Sequence, residues 1–270
     1  MRFGISSSWL VACGLALSCG TTRQRPTKPP APEATTSGAP VRKVARIVRE
    51  YPHSPESFTQ GLVFHQGRLF ESTGHQGTLR ELSLTRAEPV WMESLGGMFA
   101  QGLASDGERL YQLTWTEGTL FTWRGLPPVR ESTTRYSGDG WGLCYWQGRL
   151  VRSDGSPTLT FHTTRGFQPV GSITVTLAGQ PLDQLNELEC AHGVIYANVW
   201  FTDDVVEIDP TTGKVIAVID ASALRRAVAS RLHNPEAVLN GIAVEPATGR
   251  MFLTGKLWPA LFEVRLDVVE

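Results

Sequence analysis

A three-residue motif recurs five times along the chain and limits the folds that the chain can adopt. The third residue of each copy is apolar, and successive third residues lie 41, 40, 45 and 54 positions apart. The copies are Gln60-Gly61-Leu62, Gln101-Gly102-Leu103, Trp141-Gly142-Leu143, Asn186-Glu187-Leu188 and Asn240-Gly241-Ile242. Near-regular spacing over this range is typical of stacked or radial repeats. The motif therefore favours a repeat architecture over one continuous α/β domain.

Each copy of the motif is followed by a turn and by further runs rich in β-branched and aromatic residues, which predict strands. Second strands are predicted to start at Arg68, Arg109, Arg149, Val194 and Arg250. Third strands are predicted over residues 79–84, 120–123, 159–162, 205–208 and 261–266. A fourth strand follows only the first four copies, over residues 90–95, 129–136, 170–177 and 215–219.

The fifth repeat has no fourth strand of its own, whereas a strand predicted over residues 44–51 precedes the first repeat. We predict that this N-terminal strand completes the fifth sheet, because closing the ring covers exposed strand edges. The predicted fold is all-β, a five-bladed β-propeller over residues 41–270. The 27 Gly and 17 Pro residues of the chain suit such a strand-and-turn fold.

One short helix is predicted over residues 221–232, between the fourth and fifth repeats. Leu224, Val228 and Leu232 recur there every four residues, which places them on one face of a helix. The insertion accounts for the longest gap between copies of the motif. We expect the helix to cover one end of the propeller, and a lid over a substrate is the alternative.

The first 40 residues differ in composition from the rest. Residues 1–19 combine a basic start with an apolar run, which predicts the signal peptide of an exported protein. Cys19 lies in a stretch that resembles a bacterial lipobox, and Cys13 is a second match, so a lipid anchor and a plainly cleaved signal both stay open. Residues 20–40 are rich in Pro and Thr and predict a disordered tether. The expected location is the periplasm or, through the anchor, a membrane of the cell envelope.

The charge balance limits the classes of partner. The formal net charge is −1, from 25 Lys and Arg against 26 Asp and Glu. Nucleic acids and anionic membrane surfaces select basic patches, so we expect no nucleic-acid partner. The only membrane contact that we expect is the N-terminal lipid anchor.

Two sets of equivalent positions in the repeats hold the candidate functional residues. The first residues of the motif are expected to ring one mouth of the central channel: Gln60, Gln101, Trp141, Asn186 and Asn240. The residues at the ends of the second strands are Gly74, Trp115, Gly155, Trp200 and Lys256. Aromatic walls around a few polar groups are typical of a small-ligand pocket. A water-filled channel without a ligand is the alternative for the first set.

No other motif in the sequence indicates a competing chemistry. The six His residues show no HExxH or paired ligand spacing, and there is no P-loop, nucleophile elbow or dinucleotide fingerprint. We therefore predict neither a transition-metal site nor a bound cofactor, and a structural ion on the propeller axis stays open. Cys144 and Cys190 follow the motif in neighbouring repeats, and we expect both to be small buried apolar residues, with a disulfide as the alternative.

Several longer stretches resemble those of one enzyme family. They include Tyr51-Pro52-His53, Phe58-Thr59-Gln60-Gly61-Leu62, Asp139-Gly140-Trp141-Gly142-Leu143, Leu185-Asn186-Glu187-Leu188-Glu189, Leu239-Asn240-Gly241-Ile242-Ala243 and Thr254-Gly255-Lys256-Leu257-Trp258-Pro259. From about residue 44 to the C-terminus the chain is similar to the plant- and bacterial-type glutaminyl cyclases, or glutamine cyclotransferases. This resemblance implies a five-bladed propeller that converts an N-terminal Gln to pyroglutamate with loss of ammonia. Unlike the zinc-dependent animal enzymes of that name, this family is not expected to need a catalytic metal.

The resemblance also assigns the site residues. It implies catalytic roles for Gln101, Lys256 and Asn186, and substrate contacts for Phe58, Gln60, Phe99, Trp115, Trp141 and Trp200. Gln101 departs from the family, which has a proton-shuttling Glu at this position. Because an amide does not titrate, we predict slower turnover than in relatives with Glu. Glu71, Glu187 and Glu189 are expected to be structural hydrogen-bond acceptors, and a proton relay is the alternative.

The implied partner is a peptide or protein with an N-terminal Gln, bound by a monomer. A non-catalytic propeller that binds peptide N-termini or a cell-envelope partner is the alternative, favoured by the absence of Glu at position 101. A purely structural envelope lipoprotein is a third interpretation, and the two Trp residues and Lys256 at equivalent positions argue against it.

Overall fold

β-Strands make up most of the computed structural model, which describes residues 38–269. The signal peptide predicted over residues 1–19 and most of the predicted tether lie outside the described residues. Within the described range there is one α-helix, so the prediction of an all-β fold with one short helix is confirmed. No helix in this range has the length and apolar character needed to cross a membrane.

The first strand, β1, covers Val41–Pro52, and three four-stranded antiparallel sheets follow it, each in simple sequential order. The first sheet contains β2 (Thr59–His65), β3 (Arg68–Thr73), β4 (Thr78–Glu81) and β5 (Trp91–Ser94). The second contains β6 (Ala100–Ser105), β7 (Arg109–Thr114), β8 (Thr119–Arg124) and β9 (Val129–Arg135). The third contains β10 (Leu143–Trp146), β11 (Arg149–Arg152), β12 (Thr158–Thr163) and β13 (Pro169–Thr174).

The remaining strands form a short hairpin and one eight-stranded sheet. The hairpin pairs β14 (Thr176–Leu177) with β15 (Gln180–Pro181). The large sheet adds β16 (Leu185–Ala191), β17 (Val194–Val199), β18 (Asp204–Ile208), β19 (Val215–Asp220), β20 (Leu239–Val244), β21 (Met251–Gly255) and β22 (Ala260–Val268). Its strand order is β16-β17-β18-β19-β1-β22-β21-β20.

Strand β1 joins the fourth and fifth repeats. It runs antiparallel to β22, with Val44 opposite Asp267, which confirms that the N-terminal strand completes the fifth repeat. It also runs parallel to the start of β19, with Val41 opposite Ala217. The parallel pairing was not predicted. It merges two four-stranded units into one sheet and covers an edge that each would otherwise expose.

The innermost strands of the five units contact one another in a closed ring. β2 packs against β6, β6 against β10, β10 against β16, β16 against β20, and β20 against β2. The apolar third residues of the motif are fully buried in this ring: Leu62, Leu103, Leu143, Leu188 and Ile242. Burial in the shared core therefore explains why this position is apolar in every copy.

The glycine of the motif permits close approach of neighbouring innermost strands. A Cβ atom at Gly61 would lie 2.6 Å from the backbone nitrogen of Leu103. At the next contact the Gly102 N–H donates to the Trp141 carbonyl oxygen over 2.7 Å. Any side chain at these two glycines would separate the strands.

In the fourth copy a buried Glu187 replaces the glycine and links three strands. Its carboxylate accepts the backbone N–H groups of Leu62 in β2, at 3.2 Å, and Ile242 in β20, at 2.9 Å. Glu189 lies two residues along β16 and accepts the Val244 N–H at 3.3 Å. These contacts support the interpretation of both carboxyl groups as structural acceptors.

The motif also coincides with β-bulges. The register of β6 against β7 shifts between Ala100 and Leu103, and β16 against β17 shifts between Leu185 and Leu188. Strands β2 and β20 shift at the same place in the motif. A bulge leaves residues outside the ladder and redirects their side chains. The side chain of the first motif residue therefore does not follow the up-and-down alternation of a regular strand.

Helix α1 (Ser222–Val228) continues into a 3-10 turn over Ala229–Arg231, within the predicted range of 221–232. Leu224 and Val228 are buried in a cluster that includes Leu239 of β20 and Trp258. The helix thus packs against the fifth repeat, which supports the interpretation as a cover.

The cysteine prediction needs a correction. Cys144 of β10 and Cys190 of β16 form a disulfide, with Cα atoms 5.4 Å apart, and are not simply two buried apolar residues. The two strands are neighbours in the innermost ring, so the motif-related positions of the cysteines bring them together.

Candidate functional site

A cavity of about 170 Å³ lies at the end of the ring where β2 and β6 begin and where β7, β17 and β21 end. All nine residues predicted for the site line it: Phe58, Gln60, Phe99, Gln101, Trp115, Trp141, Asn186, Trp200 and Lys256. His75 and Glu236 complete the lining. The structure thus brings together residues from all five repeats. Their individual roles stay predictions.

Aromatic rings form the walls. The Phe58 and Phe99 centroids are 6.0 Å apart in an edge arrangement, and the Phe99 and Trp115 centroids are 5.5 Å apart. Trp141 and Trp200 meet edge to face, with their centroids 5.3 Å apart. Rings that support one another in these geometries are held in place and keep an apolar space open.

Two glycines of the second predicted set explain how the rings fit. A Cβ atom at Gly155 would lie 2.7 Å from the Trp141 ring, and one at Gly74 would overlap the Phe99 ring. Neither glycine lines the cavity. Gly74 leaves space for the Phe99 ring of the next repeat, and Gly155 leaves space for the Trp141 ring of its own repeat. The five equivalent positions therefore divide into lining residues and supporting glycines.

Lys256 supplies the ammonium group of the site. Its Nζ atom lies 4.8 Å from the Phe58 ring centroid and 5.5 Å from that of Trp200. Within residues 38–269 this atom has no hydrogen-bond or ion-pair partner. Burial lowers the pKa of Lys256 to about 8, although the Glu236 carboxylate raises it in part. The ammonium lies near two ring faces and within the field of the Glu236 carboxylate, with no direct polar contact among the described residues, and is available to a ligand.

Two amide side chains present buried oxygens without partners. Gln101 Oε1 and Asn186 Oδ1 are inaccessible to solvent and accept no hydrogen bond in the described part of the chain. A buried polar atom without a partner costs about 1–3 kcal/mol. Both side chains line the cavity, so a ligand with N–H groups would recover this cost once the amides turn their oxygens toward it.

Asn240 departs from the prediction. It was expected beside the other first-position residues, but it does not line the cavity. Its Nδ2 donates to the Thr59 carbonyl at 2.9 Å and to Gln60 Oε1 at 3.3 Å. Asn240 therefore fixes Gln60 and the start of β2 from behind, as a positioning residue.

A buried ion pair holds the segment that carries Phe58. His53 Nε2 lies 3.0 Å from a Glu71 oxygen, and Glu71 also accepts from the hydroxyls of Thr59 and Ser57. Burial alone would lower the pKa of His53, but the Glu71 carboxylate raises it above its usual value. Burial likewise opposes ionisation of Glu71, and the imidazolium outweighs that effect and lowers the pKa of Glu71. Glu71 therefore acts as a structural acceptor.

His75 and Glu236 are lining residues that sequence reasoning missed. The His75 ring lies 4.2 Å from that of Phe58 and 5.2 Å from that of Phe99, measured between centroids. Glu236 belongs to the loop before β20, outside the repeated motif. Glu236 lies outside the repeat, so repeat alignment gave no signal for it. His75 has counterparts at Thr116, Ser156, Phe201 and Leu257, but none of these lines the cavity, so the shared position gave no signal either. No residue of α1 lines the cavity.

Within residues 38–269 there is no cluster of three or more His, Cys, Asp or Glu side chains arranged to hold a metal ion.

Comparisons with known proteins agree with this site. The family model for glutamine cyclotransferase matches residues 16–266. A curated relative from Arabidopsis thaliana, described as a glutaminyl-peptide cyclotransferase, is 36% identical over 226 residues, covering 82% of this chain and 70% of the relative. A crystal structure of glutaminyl cyclase from Myxococcus xanthus is 73% identical, with a TM-score of 0.85, covering 86% of this chain and 100% of that one.

The family match spans nearly the whole described range, and the solved relative shares both its fold and most of its sequence. This chain is a member of the glutamine cyclotransferase family.

Proposed function

We propose that the cavity is the active site of a glutaminyl-peptide cyclotransferase. In this reaction the α-amine nitrogen of an N-terminal Gln attacks the carbon of its own γ-carboxamide. A lactam C–N bond forms, the original C–N bond breaks, and the leaving nitrogen takes up the proton given up by the amine. The observation that carries the proposal is the meeting of one ammonium group and two unpaired amide oxygens inside an aromatic cavity.

The size of the cavity suits a single residue. Sites for drug-sized ligands occupy about 300–1,000 Å³, whereas this cavity holds about 170 Å³. The aromatic walls confine an extended glutaminyl side chain and favour the curled conformer in which amine and carboxamide meet. Holding reacting groups together in this way removes much of the barrier of a cyclisation. The rest of the peptide then leaves through the mouth.

Lys256 is placed to stabilise the oxyanion that forms when the amine attacks. Its ammonium group has no partner among residues 38–269, so no existing contact must break. Preorganised donors aimed at developing charge give one of the largest contributions to catalysis. The apolar surroundings strengthen the interaction because they lower the local dielectric constant.

Gln101 and Asn186 are placed to hold the nitrogen atoms. Their buried oxygens can accept N–H groups of the α-amine and of the carboxamide. The amine must be neutral to attack, and free α-amines have pKa values of about 7.7–8.0, so a large neutral fraction exists near pH 8 without a strong base. The proton then reaches the leaving nitrogen directly, through water or through a titrating group.

Gln101 cannot carry the proton from the amine to the leaving nitrogen, because its amide does not titrate. General acid–base catalysis contributes about 10²–10⁴ in rate, and an amide does not supply it. We expect Gln101→Glu to raise kcat for a Gln-initiated dipeptide by tenfold or more in an ammonia-release assay. Gln60→Glu is the matched control, since it places a carboxylate at the same motif position of the neighbouring strand. An unchanged or lower kcat for Gln101→Glu would show that position 101 is not the site of the relay.

We further propose that no resident metal takes part. The lining offers aromatic rings, three amides and an ammonium group, with one carboxylate and one imidazole, whereas a catalytic zinc site needs three protein ligands. Full activity after dialysis against a chelator is the expected result, and loss that zinc restores would refute it.

We propose that this chain folds as a five-bladed β-propeller. The closed ring of contacts among β2, β6, β10, β16 and β20 supports it. So does the completion of the fifth four-stranded unit by β1. The parallel contact between β1 and β19 then joins two adjacent blades.

For location we propose export to the cell envelope, with an optional lipid anchor at Cys19 or Cys13, and a monomeric catalytic body. The Cys144–Cys190 disulfide supports export, because disulfides persist mainly in oxidising compartments. Mass analysis of the mature N-terminus distinguishes an acylated cysteine from a plainly cleaved signal, and size-exclusion chromatography tests the monomer.

A further inference from the structure

Phe201 is an exposed aromatic residue beside the cavity. Its side chain is 64% exposed, and its ring stacks on that of Trp200, with centroids 4.2 Å apart and an angle of 30°. Trp200 itself lines the cavity. Among the Phe, Tyr and Trp residues of positions 38–269, only Phe201 and Trp115 are exposed. Trp115 also belongs to the cavity lining. The two most exposed aromatic residues of the described range thus lie at or beside this site.

The backbone of Phe201 is unfavourable for a bulky residue. Its φ angle is +63°, in the left-handed region that glycine and asparagine adopt more readily. The turn is fixed on both sides: the Trp200 N–H donates to the Gln184 carbonyl at 2.8 Å, and the Thr202 N–H donates to the Val199 carbonyl at 3.1 Å. Leu257, at the equivalent turn of the fifth repeat, also has a positive φ of +59°, so the turn itself requires this conformation. Neither burial nor a hydrogen bond accounts for a phenylalanine here.

The surroundings of Phe201 suit an apolar group. Asp203, two residues further on, is paired with Arg225 through a contact of 2.6 Å, so its charge is compensated. On the other side Trp200 presents an aromatic edge that continues from the cavity wall to the Phe201 ring. The two rings form one aromatic surface, called the ledge below, that runs from the cavity wall at Trp200 to the exposed ring of Phe201.

We propose that Phe201, supported by Trp200, binds the side chain of the residue that follows the N-terminal Gln and selects substrates with an aromatic or large aliphatic residue there. The inference rests on the proposed placement of the glutaminyl residue in the cavity. Consecutive Cα atoms are 3.8 Å apart, so the second residue of the substrate lies at the mouth. Its side chain then reaches the ledge without further ordering of the peptide.

The test compares kcat/KM for the dipeptide amides Gln-Phe, Gln-Leu and Gln-Gly. We expect the parent to favour Gln-Phe and Gln-Leu over Gln-Gly. In Phe201→Asn and Phe201→Gly the preference for Gln-Phe over Gln-Gly falls about threefold to tenfold, the effect of losing one aromatic contact. The change resides mainly in KM, because the ledge contacts substrate and transition state alike.

Unfolding of the variants does not account for a change in substrate preference. Asn and Gly both adopt positive φ more readily than Phe, so both variants are expected to keep or raise the melting temperature. Val129→Ala is the matched control, since it removes an equally exposed apolar side chain on β9 and keeps the parental preference.

Each outcome has one meaning. A preference that survives in both Phe201 variants, while the parent turns over all three substrates, overturns the ledge and leaves the proposed active site intact. Absence of turnover by the parent with every substrate overturns the proposed function, and the ledge with it. If Val129→Ala lost the preference for Gln-Phe over Gln-Gly as strongly as the Phe201 variants, the effect would come from exposed apolar side chains in general. That result would also overturn the proposal.

Discussion

Replacing Lys256 by methionine removes the ammonium group from the cavity while keeping an unbranched side chain of similar length. The Nζ atom is held between the Phe58 and Trp200 rings with no polar partner in the described chain. Burial of an unpaired ammonium is unfavourable, so Lys256→Met is expected to fold at least as stably as the parent. Its effect on rate then reports on chemistry and not on folding.

The magnitude follows from the proposed role and from the pKa of Lys256. Loss of one preorganised donor to an oxyanion costs about 10²–10³ in kcat. The pKa of about 8, lowered by burial, means that the ammonium form predominates at pH 7 and is lost as the pH rises through 8. The substrate amine behaves oppositely, since its neutral form appears only as the pH approaches its own pKa of about 7.7–8.0.

The assay is ammonia release from Gln-Phe amide, with kcat/KM measured from pH 6 to pH 10. The parent should give a narrow bell near pH 8, with an acid limb from the substrate amine and an alkaline limb from Lys256. Lys256→Met should lie about 10²–10³ below the parent and lack the alkaline limb. In Glu236→Gln that limb should move to lower pH, because the Glu236 carboxylate raises the pKa of Lys256.

Lys214→Met is the control, since Lys214 is exposed and does not line the cavity; its profile should match that of the parent. A less than tenfold loss in Lys256→Met, or an alkaline limb that persists in it, would refute the assignment of Lys256 as the oxyanion donor.

Two further predictions concern stability. Burial raises the pKa of Glu189 to about 8, so its stabilising contribution is complete below about pH 4.5 and is lost as the pH rises through 8. Glu189→Gln should therefore raise the free energy of unfolding at pH 9 by roughly 2–4 kcal/mol and leave it unchanged at pH 4.5. Urea denaturation at both pH values measures this, and equal effects at the two pH values would contradict the prediction. Replacing both Cys144 and Cys190 by alanine, or reducing the parent, should lower that free energy by about 2–4 kcal/mol, and identical urea midpoints before and after reduction would show that the disulfide does not constrain the chain.

The sequence was informative wherever the repeat imposes the same environment five times. The apolar third position predicted the buried ring, and the missing fourth strand of the last repeat predicted its pairing with β1. The parallel contact between β1 and β19 could not be predicted in this way. It depends on how two complete units lie against each other, which no local pattern encodes.

The site was predictable for the same reason, and its limits are physical. Residues at equivalent strand positions converge on one cavity, so the repeat identified seven lining residues in advance, and the family resemblance supplied Phe58 and Phe99. Glu236 occupies a loop outside the repeat, and His75 occupies a turn position whose counterparts in the other repeats do not line the cavity. Asn240 shares the motif position of Gln101, but its amide bonds to Thr59 and Gln60 and it does not line the cavity. Side-chain direction at a bulge depends on such contacts and not on spacing.

The most direct test of the account is the product formed by the purified body from residue 41 onward with a Gln-initiated dipeptide. Ammonia and the pyroglutamyl product should appear in equal amounts, and the matched Asn-initiated dipeptide should give neither, because its shorter side chain cannot close the same ring. Tight binding of the Gln dipeptide without either product would contradict the assignment of the cavity as a catalytic site and would favour a binding propeller.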